Sequence, residues 1–247
     1  MNEWLVSLKG ADLDLEYLSS EFVSGECSIV KEGTRYWLRS VRFSLQTEAS
    51  DVRDTATELL RVVNGLAAVR SPDFEAVELG DIAYVDDEGQ RHSFGFIIGI
   101  VDPRTMVGGE LTLVESDDTV ALCQRRSETE SWLQIANEEP AVVDGVSRFG
   151  SRESSPKNRW YDLYWVYEII RRDVGKKHII ETGWATGSNI KAFTRTANYY
   201  YRHPPGASVT HPRPMSLSAA EALIRQLLRA WLDQQCQERA GAGVSGS

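Results

Sequence analysis

Lys191, Arg195, Asn198 and Arg202 recur at i, i+4, i+7 and i+11, the spacing that lines up side chains on one face of an α-helix. Three cations and an amide on one stripe, with Tyr199, Tyr200 and Tyr201 beside them, suit contact with phosphates and stacking of bases. The same stripe also meets the need of any surface helix for a solvated face. A short helix, the glycine turn at Gly183 and this basic helix occur in the order of a helix-turn-helix. Aligned on Gly183, however, Thr182 and Asn189 fall where that motif points apolar residues inward. DNA reading by the helix of residues 188–201 is therefore an alternative and not the leading expectation.

Other chemistries find less support. His203 and His211 flank Pro204 and Pro205 without a nearby carboxylate, and a zinc site needs three or four convergent ligands, so no metal is expected. No G-x-S-x-G elbow sets up a serine or cysteine nucleophile. No G-x-G-x-x-G or Walker-type loop is present, so no nucleotide cofactor is expected. The carboxylate pairs at 86–88 and 117–118 lie in turn sequences, where solvated aspartate is common. Cys27, Cys123 and Cys236 are odd in number and far apart, which suits reduced, packed thiols.

Asn198, Arg202 and His203, followed by a loop and a helix of the type A-x-x-L-I-x-x-L-L, resemble the HEPN superfamily of bacterial helical bundles over residues 155–237. Members of that superfamily include ribonucleases of defence and toxin systems, and they place an arginine four to six residues before a histidine. Arg172 and His178 satisfy that spacing, whereas Asn198 and His203 keep the amide and the imidazole but have Ala197 at the arginine position. The resemblance implies a metal-independent endoribonuclease site. His178 or His203 would exchange protons with the 2′-hydroxyl and the leaving oxygen, and Arg172 or Arg202 would stabilise the phosphorane. Arg172 and Lys176 equally suit the negative dipole end of a helix.

The elements that must hold these residues are set by charge and periodicity. The 247-residue chain has a net charge of −9, with 42% hydrophobic and 26% charged residues, which excludes disordered, collagenous and coiled-coil classes. The charge is split. Residues 1–150 hold 13 Lys/Arg against 28 Asp/Glu, or −15, and residues 151–247 hold 14 against 8, or +6. An acidic part and a basic part with different partners are expected. The longest apolar run, 94–101, is far below the roughly 20 residues that span a bilayer. With no signal-peptide pattern at the first residues, a cytoplasmic protein without membrane contact is expected.

In the acidic part a strand at 4–8 and a helix over 12–22 precede a hairpin across 27–43. A helix follows from Ser50 to a stop at Asn64-Gly65. Period-two segments lie on both sides of the turn at 86–89, and two further strands are expected at 111–114 and 120–123, all in a mainly antiparallel sheet. Apolar residues 132, 133, 135 and 136 mark a short helix, and Pro140 opens the next. The small, polar segment 150–158 reads as a linker.

Beyond the linker, residues 159–175 form a helix apolar or aromatic on nearly every face. Such a helix is either central in a bundle or a subunit interface, so a protein partner or a homodimer through residues 160–174 is one expectation. Ser188 is the expected cap of the basic helix, and Ser218 with Glu221 a capping box for the last. The sequence thus predicts an α+β fold: an acidic sheet domain (1–126), a helical connector (127–149), a basic helical bundle (150–240) and a flexible tail (241–247). The expected function is that of a bacterial-type binding or accessory protein with a HEPN-like bundle contacting RNA, the nuclease and the DNA-binding regulator being the alternatives.

Overall fold

The computed structural model describes residues 3–94, 119–151, 155–202 and 214–244. It has an N-terminal antiparallel sheet followed by a helical part, an α+β layout. Five strands, β1 (Glu3–Lys9), β2 (Cys27–Glu32), β3 (Arg35–Ser40), β4 (Glu78–Val85) and β5 (Arg91–Phe94), are ordered β2-β3-β1-β4-β5. Period-two alternation divides β1 between two faces. Trp4, Val6 and Leu8 join the main core with Ile29, Leu38 and Ile82, while Leu5 packs with Trp37 and Ala83 on the opposite face. The guanidinium of Arg91 lies 4.6 Å from the centre of the Trp37 ring there.

Helix α1 (Asp12–Glu21) carries Asp12 and Asp14 in its first turn, at the positive dipole end. The hairpin ends at Ser40, and residues 41–45 form a 3-10 turn in which the Arg42 N–H donates to Ser40 Oγ at 3.2 Å. Helix α2 (Ala49–Arg70) runs through the expected stop at Asn64-Gly65. Both residues have a tertiary role instead. A Cβ on Gly65 would lie 2.2 Å from the carbonyl oxygen of Val146 in α4 (Pro140–Gly150), and one on Gly150 would lie 2.6 Å from the Cα of Gly65. The two helices cross in near backbone contact, which only glycine allows. Asn64 donates from Nδ2 to the Val77 carbonyl at 2.9 Å and accepts the Val77 N–H at 3.1 Å, tying the entry to β4 onto α2.

Residues 120–123, expected as a strand, belong to helix α3 (Thr119–Glu138). A short apolar run has no period of its own, and the helical spacing that follows it governs. The strand expected at 111–114 lies outside the described residues. Pro140 opens α4 as expected. The helical part continues with α5 (Pro156–Val174), α6 (Lys176–Glu181), α7 (Gly187–Arg202) and α8 (Leu217–Val244). The cap of α8 is Ser216, whose Oγ accepts the Ala219 N–H at 3.2 Å. Glu221, the expected capping-box partner of Ser218, accepts instead from Arg159 Nε at 2.7 Å.

The sheet and the helical part share one buried core, continuous from Trp4 and Val6 to Trp231 and Leu232. Helix α2 packs on α4 and on α8, and α5 lies against α4, α7 and α8. A bundle-central position for the aromatic helix is thus observed. No helix among the described residues is long and apolar enough to cross a membrane.

Candidate functional site

Helix α7 is fixed by one face and presents the other. Its cap is Thr186, whose Oγ1 accepts the Asn189 N–H at 3.1 Å and bonds Ser188 Oγ at 2.9 Å. The expected cap, Ser188, is thus the second residue of the helix, two positions past the cap. Ile190, Phe193, Thr196 and Ala197 are buried. Phe193 stacks on Trp160 at 5.9 Å and meets Tyr167 edge-on at 5.7 Å, both on α5. Thr196 Oγ1 accepts the Met215 N–H at 3.0 Å, which fastens α7 to the approach to α8. With that side packed, Lys191 and Arg195 stand exposed on the other and Asn198 is half-buried. Neither cation has a carboxylate partner among the described residues. Arg202 closes α7, but its side chain and those of Tyr200 and Tyr201 are not described and His203 lies outside the described residues, so the stripe is described at three of its four positions.

Arg172 and His178 are separated by Gly175, whose φ of +82° ends α5 and turns the chain into α6. The imidazole of His178 is half-buried, with Nε2 2.8 Å from Gln234 Oε1 on α8 and the ring edge-on to Trp184 at 5.2 Å. Gln234 spends its own amide N–H on Glu238 at 2.6 Å. Its oxygen therefore faces the histidine and accepts the Nε2–H. Arg172 is exposed and lies 6.0 Å from the centre of the Trp165 ring on α5. The histidine is turned to α8 and the arginine to the outer side of α5. The two share no partner among the described residues.

Two arrangements were not legible in the sequence. The first is a buried ionic cluster joining α1, α2, α3 and α8. Arg70 and Glu21, with side chains only 7% and 5% exposed, lie 3.9 Å apart. Glu128 accepts from Arg70 at 3.1 Å, Thr129 donates to Glu21 at 2.9 Å, and the Arg70 guanidinium sits 4.3 Å from the centre of the Trp132 ring. Trp132 in turn donates its indole N–H to Asp233 at 3.1 Å. Burial pushes the Asp233 carboxyl above its ordinary value, against the lowering effect of that indole bond. Beside it is a cavity of about 350 Å³ lined by Ser131, Arg229 and Cys236 among others. Burial raises the Cys236 thiol, and the buried Cys27 is pushed up to about 12, so both stay protonated and weakly nucleophilic.

The second arrangement lies where α4 meets α5. Trp165 donates its indole N–H to Asp144 at 3.0 Å and stacks with Tyr161 at 6.1 Å, their planes 27° apart. The guanidinium of Arg148 is 5.3 Å from the Trp165 ring centre and is held by Asp144 at 2.6 Å and Asp162 at 3.4 Å. These interactions join α4 to α5 across the 150–158 segment, so no local period announces them.

No group of three or more His, Cys, Asp or Glu among the described residues is placed to hold a metal ion. Comparison with protein-family models, curated proteins and solved structures finds no match to this chain.

Proposed function

We propose that this chain is an RNA-contacting binding or accessory protein, and that it meets the RNA with the exposed stripe of α7. The observation that supports this reading is the exposure of Lys191 and Arg195 without carboxylate partners among the described residues, on a helix whose opposite face is held by Phe193 and Thr196. Cations free of internal ion pairs can exchange counterions for phosphates without breaking any bond within the protein. The basic balance of residues 151–247, +6 against −15 for the rest, supports contact of a polyanion with this part of the chain. The HEPN-like spacing supports RNA over DNA, and the poor helix-turn-helix fit at Thr182 and Asn189 weighs the same way.

Nuclease chemistry is the weaker alternative, because the Nε2–H of His178 is spent on Gln234 and Arg172 faces Trp165. A homodimer through α5 would have to use its half-buried Tyr161, Tyr164 and Trp165, since Trp160, Leu163, Val166, Tyr167 and Ile170 are already buried within the chain.

The test is a mobility shift with single-stranded RNA over a series of salt concentrations. Binding is expected to weaken steeply with salt. The Lys191→Glu/Arg195→Glu variant should bind about tenfold or more weakly, its log–log salt slope shallower by about 0.7 for each phosphate that it no longer neutralises. Equal affinity of variant and native protein would refute the reading. RNA cleavage that disappears with His178→Ala would establish the nuclease, and tighter binding to duplex DNA the regulator.

A further inference from the structure

Tyr161, Trp165 and Arg172 lie at i, i+4 and i+11 on α5, Tyr161 and Trp165 half-buried where α4 meets α5 and Arg172 exposed. Trp165 is the best fixed of the three. Asp144 holds its indole N–H, so the ring cannot turn, and Tyr161 braces it in a near-parallel stack. The two arginines near the ring differ in their freedom. Arg148 is tied by Asp144 and Asp162, whereas Arg172 is exposed, has no carboxylate partner among the described residues and lies at the 6.0 Å limit of a cation–π contact. A rigid half-buried aromatic ring with a displaceable guanidinium over it has the make-up of a stacking platform for a planar base.

We infer that Trp165 stacks a nucleobase of single-stranded RNA, the base taking the place of Arg172 over the indole and the released guanidinium pairing with an adjacent phosphate. The inference rests on the reading of the chain as an RNA-contacting protein and adds the substrate class. Only an unpaired base can leave its own stack to reach the ring, whereas a duplex offers phosphates alone to Lys191 and Arg195. Charge complementarity supports the choice of occupant: the exposed Arg172 stands on the helix against which α7 packs through Phe193, so one chain part supplies both the ring and cations that have no carboxylate partner among the described residues.

The experiment measures the binding of the full chain to a short labelled oligouridine and to a blunt RNA duplex of equal length, by fluorescence anisotropy. Trp165→Ala is expected to weaken oligouridine binding about tenfold, the scale of one stacked base, and to leave the duplex within about twofold. Trp165→Phe retains an aromatic face and should recover most of the affinity, which separates impaired stacking from impaired folding. Unchanged oligouridine binding by Trp165→Ala, or equal weakening of both ligands, would overturn the inference. If Lys191→Glu/Arg195→Glu still weakens both ligands in that case, the α7 reading stands alone. If the native protein binds neither ligand, both readings fall. A dimer in light scattering that Trp165→Ala dissociates would assign this face to a second copy of the chain and likewise overturn the inference.

Discussion

His178 and Asp233 show how the surroundings of a side chain decide its use. A histidine free on a surface helix is available for proton transfer near neutrality, but His178 spends its Nε2–H on Gln234 and packs on Trp184. Asp233 is marked by burial. Because its carboxyl is raised in the folded chain, ionisation opposes folding. The stability present below the ordinary carboxylate range is lost as pH rises through that range toward the raised value. Asp233→Asn keeps an oxygen for the Trp132 indole N–H and removes the charge. It should be more stable than the native chain in urea at neutral pH, the difference shrinking toward zero below about pH 4. A variant less stable than the native chain at neutral pH would show that the carboxylate is stabilised by Arg229 and Arg70 more than burial opposes it.

At the scale of elements, the crossing of α2 and α4 carries the clearest consequence. Gly65 lies inside a 22-residue helix, where alanine would ordinarily gain about 1 kcal/mol. Here the added Cβ meets the Val146 carbonyl oxygen at 2.2 Å, and a backbone atom cannot move aside as a flexible side chain can. Separating the helices is the only relief. Gly65→Ala is therefore expected to destabilise the chain by about 2 kcal/mol, the overpacking outweighing the helix propensity, as read from the midpoint of chemical denaturation. A stabilised variant would mean that the crossing is looser than the structure indicates. Asn64-Gly65 carries the residue types of a helix C-terminus, and nothing local distinguishes that use from a pair chosen for a neighbouring helix and for Val77.

For the whole molecule, the split in charge does not coincide with a split in the core. The buried cluster runs from Trp4 in β1 to Leu232 in α8. Arg70 at the end of α2 joins Glu21 of α1 to Glu128 and Trp132 of α3, and Trp132 reaches Asp233 of α8. Arg225 of α8 donates to the Ala68 carbonyl of α2 at 3.0 Å. Parts joined through one core and one ionic cluster should unfold together. We expect a single urea transition, coincident by tryptophan fluorescence and by far-ultraviolet circular dichroism. Two separated transitions would instead give the acidic sheet and the basic helices independent stability.

Local order was legible from the chain alone wherever one face of an element is apolar at a regular spacing. The hairpin at residues 27–40, the turn at 86–89, the proline-opened α4 and the buried faces of α5, α7 and α8 are all encoded by neighbours within a few positions. So is the exposed side of α7, because a helix that buries Ile190, Phe193 and Ala197 must present Lys191 and Arg195. Caps were displaced by two residues, to Thr186 and Ser216, since several hydroxyls there compete for the same N–H groups. Tertiary structure alone decided what depends on residues distant along the chain: the glycine crossing of α2 and α4, the partner of His178, the ionic cluster around Arg70, and the bracing of Trp165 by Asp144. Periodicity records which side of an element is buried; it holds no record of which other element will cover it.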